Sequence, residues 1–283
     1  MKTLKKTQSV SVLLTLMLVG MMALPTVGFA AQPTVDLGST ASFAILAGET
    51  ITNTGPTTIT GDVGVHPGST FPGQDEATIN GAVHLADAVA LQAKTDLVTA
   101  YNDAASRALT ASTGVELGGL TLGPGVYESG GALGITGTLT LDAGGDPDAV
   151  FIFRSTSTLI TGAGSRVVLT NGARFCRVFW VVPSSATLGT NSEFVGHIFA
   201  MTSIAAQTGA TVQGQLLARD GEVTLDSNTI TNGPCADTRT TVTGGELPNT
   251  ATPWYNVLLV GAALVLIGAA GWWRTSTTRK IHE

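Results

Sequence analysis

The chain has 283 residues, of which only 12% are charged, about half the share that is usual in a soluble domain. Apolar residues reach 43%, but the only long apolar runs lie in residues 1–30 and 251–283, so a large folded domain remains between them. Residues 31–250 carry eight basic and nineteen acidic side chains, and a net charge of −11 argues against a nucleic-acid-binding protein.

The first thirty residues have the layout of a secretory signal peptide. Residues 2–6 are basic, residues 10–24 are apolar, and Gly28-Phe29-Ala30 has small residues at its first and third positions. This order predicts export and cleavage by signal peptidase after Ala30. The alternative is an uncleaved membrane anchor, which is less favoured because the apolar stretch is short for a bilayer span.

The first part of the exported chain predicts strands and then one long helix. Phe43 to Gly68 reads as strands, whereas residues 82–111 contain no Pro or Gly and are rich in Ala. Apolar residues recur there at spacings of three and four, which is typical of an amphipathic helix: Val89, Ala93, Leu97, Tyr101, Ala104 and Ala108. We therefore expect a helix over about 82–111, with strands resuming from Leu120 to Leu141.

The second part contains internal repeats. Residues 178–197, 198–215 and 216–233 align with one another, and a looser copy begins at Val150. Each copy has three short apolar pieces separated by Gly, Asn, Ser or Asp, which predicts one coil of a three-sided solenoid. The second and third pieces alternate between apolar and polar residues. The first piece is apolar at inward and outward positions alike, so both of its faces need to be covered. We expect the helix to cover its outward face.

The fold class predicted from this pattern is mostly β. It is a right-handed, three-faced, discontinuous parallel β-solenoid over residues 31–233, with one long α-helix packed alongside. The helix interrupts the order of the coils because solenoid strands lie both before and after it.

The exported part contains two cysteines, Cys176 and Cys235. An even number of cysteines in an oxidising compartment predicts a disulfide. This bond would hold the end of the last patterned segment. Two free thiols are the less favoured alternative.

The C-terminal part resembles the cell-wall sorting signal of Gram-positive surface proteins. After a short linker, 234–246, it contains an apolar run from about 254 to 273, a basic tail up to 283, and a pentapeptide that resembles the sortase motif: Leu247, Pro248, Asn249, Thr250 and Ala251. The resemblance implies that a sortase transpeptidase cleaves after Thr250 and joins the protein to peptidoglycan. The membrane would then hold the chain only before processing, and the protein would be secreted and anchored to the wall of a Gram-positive-type bacterium. A permanent single-pass anchor is the alternative.

Seven motifs in order resemble the microbial ice-binding protein family with the discontinuous β-solenoid. They cover nearly the whole exported domain: 43–48, 54–64, 123–127, 141–149, 171–173, 178–180 and 223–226. The resemblance implies antifreeze, ice-recrystallisation-inhibiting or ice-adhering activity, with an ice crystal surface as the partner and no cofactor.

The ice-contacting face of this family often carries Thr, then Ala or Gly, any residue, and Thr or Asn. Residues 54–57 and 208–211 match, and residues 161–164, 188–191 and 226–229 match imperfectly. With flanking threonines, the resemblance gives these candidate ice-contact residues: Thr54, Thr57, Thr161, Thr187, Asn191, Thr208, Thr211, Thr224, Thr229 and Thr231. The alternative is that Thr simply suits exposed strand positions.

The sequence gives little support for catalysis or metal binding. Asp142, Asp146 and Asp148 lie close together in a Gly-rich turn that belongs to the fold motif, and no His pair has metal-ligand spacing. We therefore predict no metal site and no enzyme. The second functional hypothesis is a surface adhesin or wall-structural module with the same fold. A carbohydrate-active enzyme that uses the aspartates is a weaker third.

Overall fold

The computed structural model describes residues 32–235. The predicted signal peptide, most of the linker and the predicted sorting signal lie outside the described residues. None of the helices within residues 32–235 is long and apolar enough to cross a membrane.

The described chain winds into three parallel sheet faces, which we call the first, second and third sides. The first side comprises β1 (Phe43–Ala47), β4 (Asp62–Val65), β6 (Val83–Leu85), β7 (Ala111–Thr113), β9 (Gly125–Ser129), β12 (Phe151–Arg154), β15 (Val178–Val182) and the second halves of β17 (Glu193–Ala200) and β19 (Thr211–Ala218). The second side comprises β2 (Ile51–Thr54), β10 (Leu133–Ile135), β13 (Leu159–Thr161), β16 (Ala186–Leu188), β18 (Ile204–Ala206) and β20 (Val223–Asp226). The third side comprises β3 (Thr58–Thr60), β5 (Thr78–Asn80), β8 (Thr121–Leu122), β11 (Thr138–Asp142), β14 (Arg166–Thr170), β21 (Thr229–Thr231) and the first halves of β17 and β19. This arrangement confirms the predicted three-faced parallel architecture.

The order of the coils in space differs from their order in sequence. Strands β1, β2 and β3 pair in parallel with β19, β20 and β21, so the first coil of the chain lies beside the last. Strands β5 and β6 extend this end of the stack, and β7, β8 and β10 form the opposite end. The predicted discontinuity is therefore confirmed.

Helix α1 (Ala88–Ser106) connects the two ends of the stack. It is shorter than the predicted 82–111 because residues 83–85 pair with β4 and residues 111–113 pair with β9. The helix begins after Ala86, whose φ of 53° leaves the helical region, and the Asp87 side chain accepts a hydrogen bond from the Ala90 amide at 2.9 Å. Its 19 residues span about 28 Å, which matches about six coils at 4.8 Å each.

The buried stripe of α1 differs in part from the predicted one. Its members are Ala90, Ala93, Leu97, Ala100 and Ala104. Val89 is 47% exposed because Ala90 takes the inward position, and Ala108 is exposed beyond the end of the helix. The stripe is almost entirely alanine, which lets the helix lie close to the sheet.

The first side is buried on both faces, as its sequence pattern predicts. In β15, Val178, Trp180 and Val182 face the interior of the solenoid, whereas Phe179 and Val181 pack beneath α1. Covering by the helix explains why no position of this strand is polar. Within residues 32–235, the second and third sides keep outward strand surfaces that the helix does not cover.

A disulfide holds the end of the described chain. Cys176 lies in a 3-10 helix (Phe175–Arg177) that follows β14, and it is bonded to Cys235 with a Cα–Cα distance of 5.7 Å. The predicted bond is confirmed. Two further 3-10 helices precede β1 (Gly38–Ser42) and β5 (Gln74–Glu76).

Candidate functional site

The third side carries a regular array of threonines on four adjacent strands, which we call the threonine array. In the first column Thr211, Thr229, Thr58 and Thr78 are aligned as Cα partners across β19, β21, β3 and β5. Two residues further along the same strands, the second column is Gln213, Thr231, Thr60 and Asn80. Six of the eight outward positions are therefore threonine. The columns are about 7 Å apart and extend over about 14 Å.

The interior residues of these strands fix the direction in which the threonines point. Val212, Ile230 and Ile59 lie between the two columns and are buried in the solenoid core. Because side chains alternate along a strand, burial of the central residue turns both neighbours outward. All positions of the array except the half-buried Thr60 are exposed. The array is thus presented by the rigid core of the domain.

The side chains of the array are uncharged, and its threonines present methyl groups and hydroxyls. None of its eight side chains is charged, and the hydroxyls of Thr58, Thr78 and Thr229 form no hydrogen bond to another described residue. They are therefore available to water. The array has no charged group to bind an ionic ligand, and it has no basic side chain to activate a threonine hydroxyl.

An ion pair forms one border of the array. Glu193 is the Cα partner of Thr211 and bonds Arg166 at 3.0 Å, and both side chains are more than half exposed. This is also the single position at which β14 pairs with β17 within the described residues. Beyond it the two strands separate, and a shallow depression of about 540 Å³ is lined by residues of both strands and by four members of the array: Thr211, Gln213, Thr229 and Thr231. The depression therefore reaches the β19 and β21 positions of the array, whereas no residue of β3 or β5 lines it.

The second side has a narrower outward surface. Its central column runs through Ile160, Thr187, Ala205, Thr224 and Thr52, which are aligned as Cα partners on five strands. The sheet is continuous, but threonine occupies only three of these five positions. Carboxylates stand at its margins, with Glu222 before Val223 and Asp226 at the end of β20.

The corner between the second and third sides holds three of the predicted contact residues. Thr54, Thr208 and Asn191 are exposed there. The Thr208 hydroxyl donates to the Asp226 carboxylate, so it is occupied, and Asn191 has a left-handed backbone with φ of 54°. The predicted ice-contact residues therefore lie on two different sides of the solenoid and at the corner between them. A single flat plane does not contact both sides of a three-sided coil.

Two of the predicted contact residues are buried, and this part of the prediction is wrong. Thr57 is 1% exposed and its hydroxyl accepts a hydrogen bond from the Asn228 amide at 3.1 Å. Thr161 is 4% exposed and its hydroxyl accepts one from the Gly189 amide at 2.9 Å. Both hydroxyls satisfy backbone groups where the chain turns a corner, so these residues support the fold and do not reach the surface.

The array includes residues that lie outside the four-residue threonine motif. Thr58 is in register with Thr229 and Thr211, whereas the motif at residues 54–57 had pointed to Thr57. Thr60 and Thr78 also belong to the array. A signal was available, because β3 and β21 both read Thr-Ile-Thr and β5 reads Thr-Ile-Asn.

The aspartate turn is structural. The Asp142 carboxylate accepts hydrogen bonds from the Gly144 amide at 2.7 Å and from Asn171, and these bonds lower the pKa of Asp142. Asp148 forms an ion pair with Arg177 at 2.7 Å. Among residues 32–235, no three His, Cys, Asp or Glu side chains are placed to hold a metal ion.

Comparison with known proteins adds to this geometry. A family described as ice-binding-like matches residues 45–231. An ice-binding protein from Nostoc sp. (strain HG1) is 47% identical over 198 residues, which cover 69% of this chain and 73% of that protein. An ice-binding protein from Colwellia sp. is 37% identical over 218 residues, which cover 71% and 84%.

Solved structures show the same similarity. An ice-binding protein from an Antarctic biological consortium superposes with a TM-score of 0.71 at 44% identity, covering 74% of this chain and 95% of that one. One from the Antarctic ascomycete Antarctomyces psychrotrophicus superposes with a TM-score of 0.69 at 43% identity, covering 71% and 99%.

Proposed function

Since the chain belongs to the ice-binding-like family, we propose that its folded domain binds ice, and that the threonine array on the third side is the contact surface. The single observation that carries the assignment to this side is the register of the array. Four adjacent strands present threonine at the same position, and three of them are built on a Thr-Ile-Thr or Thr-Ile-Asn tripeptide.

The physical basis of the proposal is the match between the array and an ice surface. Ice offers neither net charge nor deep pockets, so a protein binds it with a flat and repeating surface. Threonine methyl groups release water when they are covered, and threonine hydroxyls hold water in fixed positions. Parallel strands repeat at about 4.8 Å, which is close to spacings in the ice lattice and gives the array its regularity.

The absence of charge within the array favours the same function. Charged side chains hold tightly bound hydration shells, which would disturb ordered water at the contact. The neighbouring second side has a mixed central column and acidic margins at Glu222 and Asp226, so it fits ice less well. We propose ice contact without catalysis, because the array has no base that could activate its threonine hydroxyls.

The proposal is tested with residues 31–246, which include the solenoid interior, the apolar layer beneath α1 and the disulfide. Thermal hysteresis and inhibition of ice recrystallisation should both be measurable. An absence of any effect on ice at high micromolar concentration would exclude this function and favour the surface-adhesin alternative. Circular dichroism on the same sample would show that the domain is folded.

We also propose that the protein is displayed at the cell surface. The support lies in the sequence at both ends: a signal peptide through Ala30 for signal peptidase, and the Leu247–Ala251 motif, apolar run and basic tail for a sortase. Display on peptidoglycan would hold the domain near the cell, where it would bind or shape nearby ice. Mass spectrometry of wall-released protein should find a C-terminus at Thr250. Recovery of an intact C-terminal tail from the membrane fraction would instead identify a permanent anchor.

A further inference from the structure

The basic side chains of the domain differ in how their charges are balanced. Four arginines form ion pairs with carboxylates: Arg107 with Asp103, Arg154 with Glu128, Arg166 with Glu193 and Arg177 with Asp148. Lys94 and Arg219 have no carboxylate at ion-pair distance among the described residues. These two cations therefore lack the carboxylate partner that each of the four arginines has, in a domain with a large excess of acidic residues.

Both of these cations line the same cavity. It has a volume of about 410 Å³ and lies between α1 and the turns that follow β4 and β19. Its walls are formed by His66, Pro67, Lys94, Thr95, Val98, Thr99, Arg219 and Asp220. The cavity adjoins the helix-covered first side, and none of its residues belongs to the threonine array.

The ammonium group of Lys94 is fixed in position. It donates to the backbone carbonyls of Ala218, at 2.6 Å, and of Arg219. An ammonium has three donors, so one N–H remains for another acceptor. Burial lowers the pKa of Lys94 to about 8, and the nearby Asp220 charge opposes this change without contacting the ammonium. At neutral pH the group is still mostly protonated.

The Arg219 side chain is held in position by contacts of its own. Its guanidinium lies 5.7 Å from the centre of the Tyr101 ring and donates one hydrogen bond to the Met201 sulfur at 3.0 Å. A thioether is a weak acceptor, and the other N–H groups have no acceptor among residues 32–235. Lys94 and Arg219 therefore line one cavity, and each has donors that no described residue accepts, an arrangement that an anion would stabilise.

We propose that this cavity binds the phosphate group of a small organic phosphate, with Lys94 and Arg219 as its ligands. A guanidinium donates hydrogen bonds in fixed directions, and an ammonium acts as a compact point charge. Phosphate-binding sites commonly use both groups. Pro67 and Val98 give an apolar wall for the organic part, and the cavity volume falls within the usual range for small-ligand sites. A phosphate attached to a wall polymer would present the same chemistry as a free one.

The site is tested by titrating residues 31–246 with glycerol 3-phosphate, inorganic phosphate and acetate at constant ionic strength, and by following amide chemical shifts. Saturable shifts confined to residues around 94–99 and 218–220 are expected with both phosphates, with weaker binding of acetate. Arg219→Gln should weaken phosphate binding at least about tenfold, whereas Arg219→Lys should retain part of it.

Two controls separate the site from general charge effects and from loss of folding. Arg166→Gln removes an exposed arginine on the third side and should leave phosphate binding unchanged. Lys94→Met keeps the aliphatic stem and should also weaken binding about tenfold. If its melting curve shows that it does not fold, Arg219→Gln alone decides the question.

The pH dependence gives an independent readout with sulfate, whose charge is constant over the range used. Binding should weaken as pH rises through about 8 and above, because Lys94 loses its proton. The other charged or titratable groups that face the cavity or adjoin it are His66, Tyr101, Arg219 and Asp220.

Three outcomes would overturn the proposal. The first is equal phosphate binding by the wild type and Arg219→Gln, and the second is shifts spread over all basic residues. The third is a response to phosphate no larger than the response to chloride. Ice activity is read separately, so failure here would leave the proposed ice-binding function untouched.

Discussion

The second and third sides are built from the same coils and differ in what they present outward. Thr52 and Thr224 are Cα partners on the second side, and Thr58 and Thr229 are Cα partners on the third, all in two adjacent coils. On the third side the threonines continue through four strands and two columns. On the second side the central column changes to Ala205 and Ile160.

This difference shows that register, more than threonine content, distinguishes the two surfaces. Each third-side strand of the array has an inward-facing apolar residue between two outward positions, so one strand contributes to two columns. Most second-side strands have one outward position between two buried ones, so they contribute to a single central column. The same alternation therefore yields a broad array on one side and a narrow strip on the other.

The largest effect is expected from a bulky side chain in the middle of the array. Thr229→Tyr places a ring between Thr211 and Thr58 and prevents flat contact, so thermal hysteresis should fall by more than about fivefold. Because Thr229 is exposed, the melting temperature should stay within a few degrees. Undiminished hysteresis would remove the third side from consideration.

A second prediction separates stability from ice contact by means of pH. His197 is buried where the third side meets the first, and burial lowers its pKa to about 4 from an ordinary value of 6.5. The unfolded chain therefore binds the proton more readily between these values. Stability should be complete above about pH 6.5 and should fall as pH is lowered towards 4, by at most about 3 kcal/mol from this residue.

The matched variant for this test is His197→Phe, which keeps a ring beside Phe179 but does not titrate. Its melting temperature should depend less on pH between about 6.5 and 4 than that of the wild type. Hysteresis per folded molecule should be constant for both proteins, since the array has no titratable group. An identical pH dependence of the two melting temperatures would contradict the assignment to His197.

A third prediction concerns the buried corner threonines. Thr57→Val removes the acceptor of the Asn228 amide and should destabilise the fold by about 1–2 kcal/mol. Hysteresis measured on fully folded protein should not change, because the side chain does not reach the surface. Thr161→Val should behave in the same way through the Gly189 amide. Loss of hysteresis with unchanged stability would mean that these threonines do contact ice.

The smallest effect is expected on the second side. Thr187→Tyr lies at the centre of the mixed column and should reduce hysteresis by less than about twofold. Its melting temperature provides the folding control. A reduction equal to that of Thr229→Tyr would contradict the assignment of ice contact to the third side alone.

The fold was predictable because its signals are local or repeated. The apolar repeats of 18–20 residues indicate the coils of the solenoid. The uninterrupted apolar run Val178–Val182 indicates a strand that is covered on both faces, and the alanine-rich segment indicates the helix that covers it. The helix bounds were too wide because residues 83–85 and 111–113 obtain their strand conformation from pairing with β4 and β9. Such pairing is tertiary and is not evident from the lack of Pro and Gly.

The candidate site was harder to predict because corners differ in length. Thr211 comes five positions after Ala206, but Thr229 comes only four positions after Leu225. Ala206 is nevertheless in register with Leu225, and Thr211 with Thr229. A fixed four-residue motif therefore follows the surface in one coil and turns inward in another. This is why the prediction included Thr57 and Thr161, which are buried, and missed Thr58, Thr60 and Thr78.

The most direct test compares two matched double variants in the same two coils. Thr58→Tyr with Thr229→Tyr alters the third side, and Thr52→Tyr with Thr224→Tyr alters the second. Partitioning of each fluorescently labelled protein onto a growing ice crystal should be nearly abolished for the third-side pair and largely kept for the second-side pair. Equal partitioning by the third-side pair and the wild type, with both proteins folded, would contradict the threonine array as the ice-contact surface.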